Sequence, residues 1–308
     1  MVKGRFAPSP SGRMHLGNIY TALISWLSVR KQNGTWLLRI EDLDRQRCKA
    51  EYTQVLMDDL QWLGLDWDEG PRSVDDVQYF QSKRDNLYLN AFEQLCEKNL
   101  VYDCFCSRAD LLASSAPQTP GDFQIYSGKC RSLTAQEKLQ LSQTRQPAQR
   151  IALPNSQLSF VDGHYGKQSV NLQKECGDFI VRRADKNFSY QLAVVVDDAL
   201  MGVTEVVRGR DLLSSTAQQL FLYKSLGFNA PHFCHVPLLI TQEGRRLSKR
   251  DHDISMEVLR TQYSPEEIIG TIMFLCGCIP KRDSLSLSEA ISVFNWSSIP
   301  LNDIILNP

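Results

Sequence analysis

A turn rich in proline and glycine, PSPSGRMHLGN at residues 8–18, has the residue types and the position of a phosphate-binding loop. It lies between a short apolar segment and the first predicted helix, so backbone N–H groups and the positive end of a helix dipole can face an anion. Gly17 has no Cβ and lets a ligand approach the backbone closely. His15 could donate hydrogen bonds to phosphate oxygens. The same spacing is equally consistent with a plain loop in which His15 caps the helix.

A strongly basic loop, GRRLSKR at residues 244–250, is the second candidate for phosphate chemistry. A lysine ammonium is a mobile point charge that suits a phosphate whose geometry changes during a reaction, whereas arginine holds a fixed fork. A basic loop alone is more often solvated surface. The presence of this loop together with the turn at 8–18 in one sequence favours a catalytic role for Lys249. The four cations of the loop are Arg245, Arg246, Lys249 and Arg250.

Three cysteines, Cys104, Cys106 and Cys130, form a candidate metal site. A Cys-x-Cys pair on an extended segment can aim two thiolates at one ion, and Cys130 in a turn could supply a third. Zinc and free buried thiols are equally consistent with this spacing. Residues 16–163 contain no histidine, so a fourth ligand would have to be Tyr126, Asp103, Asp122, Cys96 or water.

Two acidic pairs, Glu41-Asp42 and Asp197-Asp198, raise the question of a two-metal centre, with Asp44 close to the first pair. The predicted strands and helices give no reason for these acids to meet. The sequence therefore favours a structural role for Asp197 and Asp198.

Alternating strands and helices must position these residues. Residues 5–7 are predicted as a buried strand, 19–29 as a helix and 35–40 as a second strand, which together form the unit of a parallel sheet. The alternation resumes after residue 178, with strands at 179–182, 203–207 and 235–240 and helices at 192–200 and 214–226.

The domain organisation follows from this alternation. We predict an α/β fold with four parts. Residues 1–100 and 176–240 form the two halves of a nucleotide-binding catalytic domain, and 101–175 form an inserted subdomain. Residues 241–308 hold the basic loop and a short helical region, with one apolar helix near 268–276.

The composition is typical of a globular protein. Of 308 residues, 43% are hydrophobic and 22% charged, with a net charge of −1, which excludes disorder, collagen and coiled coil. The charge also excludes a nucleic-acid binder that works by gross charge, though not one with a local basic face. No apolar run approaches the roughly 18–20 residues of a membrane span, and no signal peptide precedes the first strand. We therefore expect a cytoplasmic protein with no membrane partner, and nine cysteines that are mostly reduced.

Six blocks of sequence, in order, resemble the catalytic core of glutamyl-tRNA synthetases, a family of class I aminoacyl-tRNA synthetases. The turn at His15 and the loop at Lys249 resemble the HIGH and KMSKS signatures of that class. This sequence departs from the signatures at Asn18, which ends the first, and at Arg246 and Arg250, which begin and end the second. The blocks are RFAPSPSG at 5–12, LRIEDLDR at 38–45, WLGLDW at 62–67, YQLAVVVDD at 190–198, VRG at 207–209 and LSKR at 247–250.

The resemblance implies a Rossmann-like class I synthetase catalytic domain with an inserted acceptor-type subdomain. It also implies that Glu41 faces the ammonium group of glutamate, with Tyr190 and Arg208 near a carboxylate. Glutamine would be rejected, because an arginine fork matches a carboxylate better than an amide. The residues that it places around glutamate are Arg5, Phe6, Ala7, Pro8, Ser9, Glu41, Tyr190 and Arg208.

The resemblance further implies ATP and metal sites. His15 and Lys249 would be the catalytic pair, and Mg²⁺ would arrive with ATP. One structural Zn²⁺ would be bound by Cys104, Cys106, Tyr126 and Cys130. The residues that it places around ATP are His15, Gly17, Asn18, Ser248 and Lys249.

Only residues 254–308 follow the loop at 241–253, so we expect no anticodon-binding domain. A core that ends here is similar to the glutamyl-Q tRNA(Asp) synthetases, which attach glutamate to queuosine in the anticodon loop of tRNA(Asp). The implied partners are ATP, L-glutamate and queuosine-bearing tRNA(Asp), and we expect a monomer. The alternatives are a truncated glutamyl-tRNA synthetase that charges the 3′ end of tRNA(Glu), a silent RNA-binding paralogue, and an adenylyltransferase for a small cofactor.

Overall fold

The computed structural model describes residues 1–107, 125–245, 247 and 255–306. Within these ranges, no helix combines the length and the apolar character that crossing a membrane requires. The strands are β1 (Lys3–Phe6), β2 (Thr35–Leu38), β3 (Val101–Cys104), β4 (Ala148–Ile151), β5 (Gln157–Asp162), β6 (Gly166–Asn171), β7 (Phe179–Arg182), β8 (Glu205–Gly209), β9 (His232–Val236), β10 (Leu239–Ile240) and β11 (Ile304–Ile305). The helices are α1 (Leu16–Lys31), α2 (Ala50–Trp62), α3 (Asp85–Glu97), α4 (Ala135–Ser142), α5 (Tyr190–Leu200), α6 (Thr216–Leu226), α7 (Met256–Gln262), α8 (Pro265–Leu275) and α9 (Leu287–Val293).

Four parallel strands form the central sheet, in the order β2-β1-β8-β9. Helix α1 and the C-terminal helices pack in the hydrophobic core on one face, and α3, α5 and α6 pack on the other. Gly4 allows α1 to approach β1 closely, because a Cβ there would lie 2.4 Å from Cγ2 of Val29. The predicted α/β fold is confirmed. Since parallel strands end at the same edge, the residues that follow β1, β2, β8 and β9 meet there.

Two antiparallel groups of strands come between the halves of this sheet in sequence. β3, β4 and β7 form a three-stranded sheet, and β5 and β6 form a hairpin. The prediction that 179–182 belongs to the parallel sheet is wrong, because β7 pairs with β4. Alternation of apolar and polar residues in a sequence predicts a strand, but it does not predict which strand it pairs with. The antiparallel sheet therefore extends beyond residue 175, the predicted end of the insertion.

The C-terminal region has more structure than the single predicted helix. The strand predicted at 235–240 is two strands, β9 and β10, and β10 pairs in parallel with β11. Helices α7 and α9, of seven residues each, flank the predicted helix α8. Both α8 and α9 begin with a capping box, formed by Ser264 with Glu267 and by Ser286 with Glu289. This Ser-x-x-Glu signal can be recognised in a sequence.

A buried ion network joins the two halves of the parallel sheet. Arg39, which follows β2, donates from Nη1 to Oδ1 of Asp198 at 2.6 Å, and its Nε lies 3.7 Å from Oδ2 of Asp197. Buried charges are stable when they are paired and hydrogen-bonded. These contacts confirm the structural role predicted for the two aspartates. Asp197 also accepts hydrogen bonds, at 2.6–2.9 Å, from Gln81, Arg84 and Tyr88.

The variant Asp197→Asn is expected to lower the free energy of unfolding by about 3 kcal/mol, because it removes the anion that pairs with Arg84 and balances part of the charge of buried Arg39. Urea denaturation measures this change. Asp185→Asn is the matched control, since Asp185 forms an exposed ion pair with Arg183. Loss of this ion pair should lower the free energy of unfolding by less than about 1 kcal/mol. Equal effects of the two variants would contradict the proposed importance of the network.

Candidate active site

A cleft of about 460 Å³ opens at the carboxyl edge of the parallel sheet. Residues from β1, the turn after it, the N-terminus of α5 and the segment after β8 line this cleft. Every glutamate-site residue predicted from the sequence lies in its wall, as do the three described residues of the predicted ATP site. These residues are Arg5, Phe6, Ala7, Pro8, Ser9, His15, Gly17, Asn18, Glu41, Tyr190 and Arg208.

The turn at 8–18 ends in a helix cap. Nδ1 of His15 accepts a hydrogen bond from the backbone N–H of Gly17 at 3.1 Å, and the backbone N–H of His15 donates to Oδ1 of Asn18 at 3.1 Å. The capping role of His15 is therefore confirmed. Because Nδ1 is an acceptor, the proton of the neutral ring is on Nε2, which is then a hydrogen-bond donor. Capping and phosphate binding are thus compatible, and the phosphate role stays a prediction.

Arg5 is a buried cation with donors left over. Its Nε lies 3.4 Å from Oδ1 of Asp198, and Nη1 donates to the carbonyl oxygen of Val207 at 3.4 Å. Among the described residues, its remaining N–H groups have no acceptor. They include groups on both Nη atoms, so Arg5 can offer a carboxylate two parallel hydrogen bonds.

Arg208 is held much more tightly than Arg5. Its Nε donates to Nε2 of His235 at 2.9 Å, and Nη1 donates to Oε1 of Gln219 at 2.8 Å. Nη2 donates to Oγ1 of Thr216 at 2.9 Å and to the carbonyl oxygen of Leu212 at 3.3 Å. Four of its five N–H groups are thus used within the part of the chain that the structure describes. Burial lowers the pKa of Arg208, and the charge of Arg5 lowers it further.

Glu41 is the acid of the cleft. Its Oε1 lies 3.4 Å from Nη2 of Arg39, and the side chain is buried. Burial raises the pKa of Glu41 to about 7, because the arginines offset only part of the desolvation. Burial also raises the pKa of Tyr190 to about 12, which keeps its hydroxyl protonated. The cleft therefore offers two fixed cations, a hydroxyl and one acid that is half ionised near neutral pH.

The basic loop is only partly described. Ser248, Lys249, Arg246 and Arg250 lie outside the described residues. Leu247 is buried and lines the cleft. After the loop, the backbone N–H of Met256 donates to the carbonyl oxygen of Met14 at 2.9 Å. One described residue within the loop and one after it therefore contact the cleft or the turn that forms it.

The three predicted cysteines form a cluster. The Sγ atoms of Cys104, Cys106 and Cys130 lie within 4.8 Å of one another, a grouping that could hold a metal ion. Oη of Tyr126 lies 3.5 Å from Sγ of Cys104 and 3.6 Å from Sγ of Cys106. Arg150 packs over the Tyr126 ring and donates from Nε to Sγ of Cys104 at 3.3 Å. Two of the other predicted fourth ligands, Cys96 and Asp103, do not belong to the cluster, and Asp122 is outside the described residues.

Residues 1–299 match the family of class I tRNA synthetases for glutamate and glutamine, catalytic domain. This chain belongs to that family. The glutamyl-Q tRNA(Asp) synthetase of Symbiobacterium thermophilum is 44% identical, over 97% of this chain and 94% of that protein. The protein of the same name from Nitratidesulfovibrio vulgaris is 41% identical, over 99% of this chain and 95% of that protein.

Longer relatives align with the same residues of this class I synthetase. The glutamate–tRNA ligase of Aquifex aeolicus is 38% identical, and this chain spans 64% of it. The crystal structure of a glutamate tRNA ligase from Elizabethkingia meningosepticum, in complex with its amino acid, superposes with a TM-score of 0.83 at 29% identity. The superposition covers 99% of this chain and 67% of that one.

Sequence reasoning missed the residues that hold the cleft cations of this class I synthetase. His235, Gln219 and Thr216 surround Arg208, and no local pattern marks them, because they come from a different strand and helix. Asp198 and Arg39 lie inside the matching blocks, but the resemblance does not place them among the residues of the cleft. The pair Asp197-Asp198 near the end of an otherwise apolar helix indicates that a buried cation lies close by, because buried acids need buried cations.

The carboxyl group of Glu41 is expected to titrate near pH 7 in the ligand-free protein, because burial disfavours its charged form. Carbon-13 NMR of labelled glutamate side chains measures this midpoint. Glu41→Gln should remove that one signal and assign it. An ammonium-bearing ligand in the cleft should lower the midpoint, because it stabilises the ionised form. A midpoint below 5 without ligand would contradict this account of Glu41.

Proposed function

We propose that this class I synthetase activates glutamate with ATP as glutamyl-adenylate and transfers the glutamyl group to queuosine in the anticodon loop of tRNA(Asp). The observation that carries the proposal is the set of charges in one cleft, beside a turn suited to phosphate. Two relatives that align over almost their whole length are named for this reaction. The longer glutamate–tRNA ligases, at 37–39% identity, are more distant.

The charges of the cleft complement a glutamate zwitterion. Arg5 has donors on both Nη atoms for a carboxylate, and Arg208 adds a fixed charge and its one remaining N–H group. Glu41 in its ionised form balances the ligand ammonium. Glutamine would replace a carboxylate with an amide, whose N–H₂ group cannot accept from the arginine fork. The cleft therefore favours glutamate over glutamine.

Adenylate formation needs positioning and electrostatics rather than a covalent nucleophile. A carboxylate oxygen of glutamate attacks the α-phosphorus of ATP in line, and pyrophosphate leaves. Nε2–H of His15 donates to a phosphate oxygen, and Lys249 and Ser248 bind the phosphates from the basic loop. Gly17 and Asn18 hold the cap that orients His15. The Mg²⁺ that accompanies ATP supplies further neutralisation of the phosphate charge.

The transfer step moves the activated acyl group to RNA. A hydroxyl oxygen of the queuosine cyclopentenediol attacks the adenylate carbonyl carbon, the bond from that carbon to the phosphate oxygen breaks, and AMP leaves with the hydroxyl proton on its phosphate. The alternative acceptor is the 3′ end of tRNA(Glu), the substrate of the longer ligases. Resemblance to proteins that align from end to end favours queuosine.

Labelled glutamate should be transferred to tRNA(Asp) that carries queuosine, but not to the same tRNA transcribed without the modification, nor to tRNA(Glu). Acid precipitation of labelled RNA measures the transfer, and ATP–pyrophosphate exchange measures the first step. Lys249→Ala is the inactive control and should slow exchange by about 10²–10³-fold, since it removes a cation from the transition state. Charging of tRNA(Glu) at its 3′ end would replace this proposal with the alternative.

We also propose that the cysteine cluster binds one structural Zn²⁺ through Cys104, Cys106, Cys130 and Tyr126. The chemistry of the donors fits, because zinc prefers thiolates in a four-coordinate site and the Tyr126 oxygen lies next to two of the sulfurs. Arg150 would orient Cys104 from outside the metal site. When bound, the metal would cross-link β3 to the turn that contains Cys130.

Elemental analysis should find one equivalent of zinc in the purified wild-type protein. Cys104→Ser should lose it and should lower the melting temperature, because metal binding contributes to folding. Cys96→Ser is the matched control, since Cys96 is an exposed thiol outside the cluster. Tyr126→Phe, which removes only the hydroxyl, tests the fourth ligand. A wild-type protein that contains no zinc and binds none on titration would rule out this site.

A further inference from the structure

The cation Arg208 depends on a histidine whose proton is fixed in place. A guanidinium has no lone pair, so Nε2 of His235 must accept the 2.9 Å hydrogen bond from Nε of Arg208. The proton of the neutral ring is therefore on Nδ1, which donates to Oδ2 of Asp162 at 2.6 Å. The three side chains form one directed chain of hydrogen bonds, and all three are buried.

Asp162 is itself fixed by the backbone. It ends β5, and its Oδ1 accepts from the N–H groups of His164 at 3.0 Å, Tyr165 at 2.9 Å and His235 at 3.3 Å. Burial opposes its ionisation, yet these hydrogen bonds and the one from His235 lower the pKa of Asp162. The carboxylate is therefore an anion that cannot rotate.

The charges around His235 keep it neutral. Arg208 on β8 and Arg5 on β1 are the cations that face it, Asp162 on β5 is the anion, and the Thr216 hydroxyl on α6 lies 3.4 Å from its Nε2. Burial and the two arginines lower the pKa of His235 more than Asp162 raises it. A second proton on the ring would put an N–H against the N–H of Arg208.

We propose that Asp162 and His235 are positioning residues of the glutamate pocket, which fix the direction in which Arg208 presents its remaining N–H group to the substrate carboxylate. Asp162 comes from the hairpin of β5 and β6, outside every sequence block that resembles the family. The hairpin thus supports the amino-acid pocket from outside its wall. This inference depends on the proposed function, because it needs glutamate as the ligand of the cleft.

Two substitutions at residue 235 separate positioning from simple packing. His235→Asn keeps a donor near the place of Nδ1 for Asp162 but removes the acceptor for Arg208. His235→Gln puts an amide oxygen near the place of Nε2 and so keeps that acceptor. Cys234→Ala is the matched control, because Cys234 is buried on the opposite face of β9. Calorimetry measures the Kd for glutamate and for ATP, and thermal melting measures stability.

The Kd for glutamate should rise about tenfold or more in His235→Asn, because a hydrogen bond to a charged group is lost. His235→Gln should restore most of the affinity, and the Kd for ATP should stay the same in all variants. Cys234→Ala should lower the melting temperature without changing either Kd.

An unchanged Kd for glutamate in His235→Asn would overturn the inference. Equal weakening of glutamate and ATP binding would overturn it too, since that result indicates general damage. Failure of the proposed function gives a different result: the wild-type protein would bind glutamate but would not transfer it to queuosine.

Discussion

The carboxylate of Asp198 is the interaction on which both the fold and the cleft depend. It accepts a 2.6 Å hydrogen bond from Arg39 on one side and lies 3.4 Å from Nε of Arg5 on the other. Burial opposes its ionisation, but these two arginines lower the pKa of Asp198. Without this anion, the two cations would face each other in a region closed to water. One carboxylate therefore joins the halves of the sheet and also holds the arginine that faces the cleft.

The charges of the cleft are incomplete until a ligand binds. Asp198 is paired, whereas Glu41 is ionised only in part near neutral pH and Arg5 has unused donors. A zwitterion satisfies both side chains, because its ammonium stabilises the Glu41 anion and its carboxylate accepts hydrogen bonds from Arg5. A ligand with a single charge satisfies only one of these two side chains. Charge balance thus favours an amino acid, and the second cation of the cleft, Arg208, favours one whose side chain adds a second carboxylate.

The resemblance to glutamyl-tRNA synthetases predicted the residues that line the cleft, but it did not predict all the residues that support them. Arg5, Glu41 and Arg208 belong to the matching blocks and lie near the ends of parallel strands, which meet at one edge of the sheet. Asp162 and His235 could not be found in this way. They belong to elements distant in the chain, and only tertiary packing brings them together.

The same limit explains the errors in the predicted fold. The pattern of β7 was correct, but its partner strand was not, because alternation says nothing about pairing. The C-terminal helices were underestimated for a different reason. The capping box of α9 is visible in the sequence, whereas α7 has no side-chain cap that could indicate its start.

The pairing of β10 with β11 places the last described residues directly behind the cleft wall. Leu238 and Leu239 line the cleft. The N–H of Ile304 donates to the carbonyl oxygen of Leu238 at 2.9 Å, and Asp303 binds both the backbone of Leu238 and the side chain of Arg210. A substitution that breaks the hydrogen bonds of Asp303 or Ile304 to Leu238 would therefore shift the cleft wall without changing any residue that lines it.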